Sequence, residues 1–211
     1  MNCLSHKHNL SRNLKRMQKA FKDEFDFFPK TWNLPADQGD FKNQFTKKKA
    51  KTFIVKPVAG CQGRGIYLTR DFEDISMKDG SQYVVQRYMH KPYLIDNLKF
   101  DLRIYVLIYG VDPLRIFVFR EGLARFATEE YTGPYKSNLD NLYMHLTNYA
   151  INKKSEYFEA NEDSEEDDVG HKRSVTSVLK HIEDNEKDPN ITMNSLWEKI
   201  DDIVVKTMIS V

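Results

Sequence analysis

Residues 100–120 read FDLRIYVLIYGVDPLRIFVFR: two runs of β-branched and aromatic residues parted only by Val111, Asp112 and Pro113. Parallel strands need a crossover of a dozen or more residues, so so short a link forces the runs into an antiparallel hairpin. The first run alternates, with Asp101, Arg103 and Tyr105 on one face and Leu102, Ile104 and Val106 on the other. Two opposite charges on one strand face suit either a plain solvated surface or the lining of a cleft. Helical periodicity brackets this β-rich middle. Leu10, Leu14, Met17 and Phe21 recur at helix spacing near the start, and Leu196, Ile200, Ile203, Val204 and Met208 do so near the end. An α+β chain built on antiparallel sheet follows.

Further strands are expected over Thr52 to Lys56, Gly65 to Thr69, Gln82 to Met89, Phe100 to Tyr109, Leu114 to Arg120 and Leu123 to Ala127. Phe27 to Pro35, broken by prolines, reads as an extended connector. Basic residues crowd Arg12 to Lys19 and Lys47 to Lys51, while Glu159 to Asp168 is acidic enough to expect a mobile loop. These opposing runs leave a net charge of +1, which gives no global field favouring nucleic acid. No run approaches the roughly 20 apolar residues that a membrane helix needs, and no signal-peptide core is present, so no membrane partner and a cytosolic or nuclear setting are expected. Cys3 and Cys61 are too isolated for a metal knuckle and are expected as free thiols.

The stretch FIVKPVAGCQGRGIYLT, Phe53 to Thr69, sets a lysine before a glycine-studded loop flanked by apolar runs. Glycines let backbone N–H groups approach phosphate oxygens, and a lysine adds a compact positive charge. A P-loop would require the lysine after the last glycine, but Gly65 is followed by Ile66. A Rossmann fingerprint would open a helix, whereas Gly60, Gly63 and Gly65 precede the strand-like GIYLT. A protein kinase would place its glycine loop before the strand lysine. What remains is strand, Lys56, loop, strand. This is either a roomy hairpin or a lid over a phosphate chain.

Taken in order, FIVKPVAGCQGRGIYLT, QRYM, KFDLRIYV, GLARFAT and HLTNYAINK resemble the tubulin tyrosine ligase-like family, and the GCQGRGI wording is similar to its polyglutamylase branch. LSRNLKRMQKAF and DFFPKTWNLPAD resemble that branch as well, carrying the likeness from about Leu10 to the last residue. The resemblance implies an ATP-grasp-like fold, with nucleotide held between two α+β lobes. Residues 1–50 would form an N-terminal helix and connector, 51–95 a central lobe with the phosphate-covering hairpin, and 96–211 part of a C-terminal lobe.

By the same resemblance, Lys56 would contact the ATP phosphates beneath a lid of Gln62, Gly63, Arg64 and Gly65, with Gln62 also facing substrate. Gln86, Arg87, Tyr88 and Met89 would form the hinge that holds adenine. Lys99 and Asp101 would reach base and ribose, and Arg103 the terminal phosphate. Arg125 would hold a carboxylate of the incoming amino acid or the acyl-phosphate. Thr147 and Asn148 would meet nucleotide, Tyr149 would border the amino-acid pocket, and Lys172 would bind a carboxylate of free L-glutamate. His145 is expected to be structural. The implied reaction is ATP-dependent addition of glutamate to the acidic tails of tubulin, by a monomer acting at cytoplasmic or ciliary microtubules. The family's Mg²⁺ ligands include an E-x-N pair in a later strand. No E-V-N motif occurs here, so the metal ligands are expected beyond residue 211 and the chain is expected to be an inactive fragment. A glycylase or a non-catalytic microtubule-binding relative stays open as an alternative.

Overall fold

The computed structural model describes residues 2–46, 51–77, 80–160 and 167–211. Most of the basic run Lys47 to Lys51 and the centre of the acidic segment Glu159 to Asp168 lie outside the described residues. The chain divides into two compact units: Met1–Pro92 with Thr132–His145 and Ser210–Val211, and Tyr93–Tyr131 with Leu146–Ile209.

The first unit centres on a four-stranded antiparallel sheet in the order β1-β4-β2-β3, formed by β1 (Thr31–Leu34), β2 (Phe53–Pro57), β3 (Tyr67–Thr69) and β4 (Tyr83–Arg87). Strand β1 gives part of the extended connector expected over Phe27 to Pro35 a place in the sheet. Its TWNL alternates well enough to bury Trp32 and Leu34, and its backbone pairs with β4 from Thr31↔Gln86 to Leu34↔Tyr83. Trp32, Phe41 and Phe53 pack with ring centroids 5.0 to 5.7 Å apart and are all but sealed from solvent. Removing one such ring would cost about 3–5 kcal/mol, transfer and cavity together.

Helices α2 (Lys7–Ala20) and α3 (Gln38–Lys42) pack against this sheet, and the short α1 (Asn2–Ser5) packs against α2. Helix α2 turns Leu14 inward, as its spacing predicts. Polar contacts fix its azimuth: Ser11 Oγ donates to Asn33 Oδ1 at 2.8 Å, and Lys15 Nζ pairs with Asp37 at 2.7 Å. Asp37 also accepts the Asn33 N–H. Burial pushes its carboxyl up, but these bonds and the Lys15 charge outweigh that and leave its pKa below the usual value.

The second unit is built on the hairpin of β6 (Leu98–Val111) and β7 (Leu114–Phe126), flanked by β5 (Leu94–Ile95) and β8 (Lys172–Ser174) in the order β5-β6-β7-β8. The expected separate strands Leu114 to Arg120 and Leu123 to Ala127 are one continuous β7. Gly122 makes that continuity possible, since a Cβ there would stand 2.2 Å from the Arg103 carbonyl oxygen on β6. The alternation along β6 holds: Arg103, Tyr105 and Leu107 are exposed while Leu102, Ile104 and Val106 are half-buried.

Four helices complete the described elements: α4 (Leu142–His145) in the first unit, and α5 (Tyr149–Asn152), α6 (Val175–Asn185) and α7 (Met193–Ile209) in the second. Ser174 caps α6 through the Ser177 N–H, and Glu121 from β7 accepts the N–H groups of Val175 and Thr176. A carboxylate at that helix start also complements its positive dipole end.

Candidate functional site

In the first unit, Lys56 leaves β2 next to the glycine loop. Its Nζ donates to Gln86 Oε1 at 2.6 Å, and the Gln86 carboxamide in turn donates to Thr31 Oγ1 at 3.1 Å. Lys56 thus has a neutral partner and, among the described residues, no carboxylate partner. Burial, reinforced by repulsion from Lys7, pulls its pKa below the ordinary lysine value.

The loop above it is two tight turns in series. The Arg64 N–H bonds the Cys61 carbonyl at 3.0 Å, with Gln62 and Gly63 both at positive φ between them; the Ile66 N–H bonds the Gly63 carbonyl at 3.2 Å, with Gly65 at φ +68°. The first pattern is that of the mirror-image hairpin turns, and the second needs its third residue left-handed. Only glycine is comfortable at position 65, where a Cβ would also come within 3.0 Å of Pro57 Cγ. Gln62, a non-glycine residue at φ 55°, holds strained backbone at the loop tip. Gln62, Arg64 and Gly65 are exposed, and Gly63 is buried.

Sequence reasoning missed Lys7, the first residue of α2. Its Nζ donates to the Pro57 carbonyl at 3.2 Å and to the Gly60 carbonyl, both at the start of the loop. Fifty residues of separation hid this contact.

The residues expected to hold adenine, Gln86 to Met89, are already committed in part. The Arg87 N–H bonds Lys30 O at 2.8 Å and the Tyr88 N–H bonds Thr52 O at 3.0 Å, so neither amide is spare for a base edge. The Arg87 guanidinium lies 5.6 Å over the Phe53 ring, with its pKa lowered by burial. Met89 is 64% exposed at the strand's end. Tyr88 Oη meets the Nδ1 of fully buried His145 at 2.9 Å, and His145 Nε2 meets Asn138 O at 3.0 Å. His145, expected to be structural, thus has both ring nitrogens engaged inside the protein.

The second unit gathers a different set. Asp101, Arg125 and Lys172 are directly opposed on three adjacent strands, Asp101↔Arg125 between β6 and β7 and Arg125↔Lys172 between β7 and β8. Arg125 grips Asp101 with two bonds, Nε to Oδ1 at 3.0 Å and Nη2 to Oδ2 at 2.5 Å. Hydrogen bonding to Asp101 raises the Arg125 pKa above its ordinary value against the opposing effect of burial. The expected separate tasks of Asp101 and Arg125 therefore begin from one ion pair. Arg103, one step along the same face, is exposed and lies 5.6 Å over the Tyr105 ring. Lys99 is half-buried on β6, opposite Leu94.

Lys172 Nζ lies 4.6 Å from the centre of the Tyr149 ring, and Lys153, which the sequence reading passed over, lies 5.4 Å from it. Behind them Tyr149 meets Phe158 edge-on, Phe158 stacks on His171, and His171 Nδ1 accepts the Glu159 N–H at 3.0 Å. Burial, with help from Arg173, lowers the His171 pKa despite that bond and the Glu159 charge. Asn148 stands at the N-cap of α5 but its side chain makes no cap bond. Asn152 organises this loop instead: buried, it accepts from Thr128 N and Oγ1 at 3.1 Å and donates to Leu146 O at 2.7 Å. Thr147 is half-buried.

Among the described residues there is no group of three or more His, Cys, Asp or Glu side chains able to hold a metal ion. The chemistry on offer is cationic and aromatic, suited to phosphates and carboxylates.

A family model described as the tubulin-tyrosine ligase family matches residues 1–211. The chain is 55% identical over 98% of its length to a probable beta-tubulin polyglutamylase of Tetrahymena thermophila, covering 17% of that protein. It is 50% identical to tubulin polyglutamylase ttll6 of Danio rerio, over 100% of this chain and 26% of the relative. It is 47% identical to human tubulin polyglutamylase TTLL6, over 95% of this chain and 21% of the relative. The chain spans about a fifth of the length of these relatives.

Proposed function

Because the chain belongs to the tubulin-tyrosine ligase family, we propose that it is part of an ATP-dependent tubulin polyglutamylase with an ATP-grasp-like catalytic core. The observation that carries the reading is Lys56, a shielded ammonium hydrogen-bonded to the neutral Gln86 carboxamide at the foot of a glycine loop. An ammonium so placed is costly to shield without an anion, and a triphosphate supplies one.

Lys56 and the turns of Gln62 to Gly65 would hold the β- and γ-phosphates, with Arg103 steadying the charge that builds on the transferring group. The γ-carboxylate of a glutamate on the acceptor tail attacks the γ-phosphorus and ADP leaves. The amine of free L-glutamate then attacks the acyl carbon, loses a proton and expels inorganic phosphate, which leaves an isopeptide bond. Arg125 keeps Nη1 for a substrate carboxylate while Asp101 fixes its plane. Lys172 and Lys153, around Tyr149, would take the donor's carboxylates. Two cations at that ring favour an acidic donor over glycine. Relatives of this family are expected to use Mg²⁺, and among the described residues no group of three or more His, Cys, Asp or Glu side chains could hold it.

The partners on this reading are ATP, free L-glutamate and the acidic tails of microtubules, with action at the microtubule cytoskeleton, including that of cilia. Radiolabelled glutamate and glycine offered to microtubules by the full-length protein test it. Glutamate should be incorporated and glycine not, and Arg125→Ala should abolish incorporation while microtubule binding persists. Incorporation of glycine instead would sink the donor assignment, and binding without any incorporation would leave a non-catalytic relative.

A further inference from the structure

Arg173 is the middle residue of β8, a strand of three residues at one edge of its sheet. So short a strand holds its register weakly, and a slip of one residue would turn each of its side chains to the other face. Such a slip would fall hardest on Lys172, which lies against the Tyr149 ring from a strand position directly opposite Arg125. Arg173 points the other way, as neighbours on a strand do. Its side chain is only 14% exposed: Nη2 donates to Asp96 Oδ2 at 2.6 Å, Nε donates to the Gly170 carbonyl at 3.1 Å, and the guanidinium carbon lies 4.3 Å from the centre of the Phe126 ring.

These three partners belong to three different parts of the unit. Phe126 ends β7, Gly170 lies in the segment that leads into β8, and Asp96 opens the tight turn between β5 and β6. Asp96 and Asn97 both have positive φ, 53° and 59°, the backbone of a mirror-image hairpin turn, so the Asp96 carboxylate is presented from a defined position. One guanidinium therefore ties β8, at one edge of the sheet, to the turn beside β5 at the other. A lysine could match this only in part, because its ammonium lacks the planar fork that bonds two acceptors while stacking on a ring.

We propose that Arg173 is the positioning residue of the donor end of the site: it locks the register of β8 and so keeps Lys172 aimed at a carboxylate of the donor. This rests on the reading of Lys172 and Tyr149 as the place of free L-glutamate. Arg173 itself touches no substrate. By holding Lys172 in place before the donor arrives, it lowers the ordering cost of binding.

The test uses the full-length protein carrying this chain, assayed with microtubules, ATP and L-glutamate. Arg173→Gln should raise the KM for L-glutamate roughly tenfold, the scale of one charge-assisted contact made slack, while kcat and the KM for ATP stay within about twofold of the parent values. Asp96→Asn should act in the same direction, and the double variant should be no worse than Arg173→Gln alone, since both substitutions remove one contact. Arg173→Lys should recover part of the loss. Exchange of the Phe126 amide, which bonds the His171 carbonyl at 3.0 Å just ahead of β8, should quicken in Arg173→Gln. Should Arg173→Gln fail to fold, Asp96→Asn, at the exposed turn, carries the same expectations.

A fall in kcat with a matching rise in both KM values would mark a general structural loss and overturn the inference. Effects of Asp96→Asn and Arg173→Gln that simply add would do so too, as would a lysine variant no better than glutamine. Lys172→Met run in parallel separates the two levels. If it raises the KM for L-glutamate and Arg173→Gln does not, the Arg173 inference alone fails. If it leaves that KM unchanged, the donor reading fails and takes the inference with it.

Discussion

The two units handle charge in opposite ways. In the first unit Lys56 and Lys7 lean on a carboxamide and on backbone carbonyls, with no carboxylate beside them among the described residues. In the second, Arg125 is already married to Asp101 by two hydrogen bonds. The first arrangement is costly without a ligand and gains on binding a polyanion. The second is satisfied beforehand and gains orientation rather than charge, since a paired guanidinium presents its remaining donors in a fixed plane. On the proposed function, the first kind of cation suits a triphosphate and the second suits the aiming of small carboxylates.

Lys56→Met breaks this comparison with the largest effect. If Lys56 holds phosphate as proposed, the loss should be roughly a hundredfold or more in ATP affinity, the scale of a shielded charge–phosphate contact. The substitution should also stabilise the ligand-free protein by about 1 kcal/mol, since an ammonium without an ionic partner is exchanged for an apolar chain of similar shape. Isothermal titration and thermal melts measure the two. A variant that loses both affinity and stability would mean that Lys56 is a structural lysine and the two halves are not different in kind.

How the two halves were legible follows from the same contrast. The loop, Lys56 and the strand face carrying Asp101 and Arg103 are local patterns: glycines at turn positions, a lysine in an apolar run, alternation with a period of two. Arg125 and Lys172 stand apart by 47 positions and meet only because β8 pairs with β7, a three-residue strand too short to leave a periodic signal. Strand β1 escaped for a similar reason, being four residues between prolines. Lys7 and Lys153 carry no motif at all. Their roles come from helix placement against a loop and a ring, which no spacing rule encodes. The fold's antiparallel, mixed character was written in the sequence, while the wiring among charged side chains was not.

The second prediction sharpens the pre-paired half. In a double-mutant cycle of Asp101→Asn and Arg125→Gln, the coupling energy should be about 1 kcal/mol by denaturant unfolding, the range for a partly exposed pair with good geometry. Lys56 and Gln86, cycled the same way, should couple more weakly, because their bond involves only one charge. Equal couplings would erase the proposed distinction.

The smallest effect is expected from pH, and it should touch one half only. His171 underlies Phe158 and precedes Lys172, and its pKa in the folded chain is lowered from 6.5 by burial. Below that value the unfolded chain binds the proton more readily than the folded one, so stability falls as pH drops from 6.5 toward the folded pKa and levels off beneath it. Protonation at Nδ1 also breaks the bond accepted from the Glu159 N–H, which supports the ring system beneath Tyr149. Amide exchange at Glu159 should therefore quicken between pH 7 and pH 5, whereas Arg64 and Ile66 in the glycine loop, corrected for intrinsic rates, should not change. His171→Gln, neutral throughout and able to accept the same bond, should flatten the pH response. A loop that loosened in step with Glu159 would show that the halves share a titrating support, and the contrast between a half awaiting charge and a half already paired would need another cause.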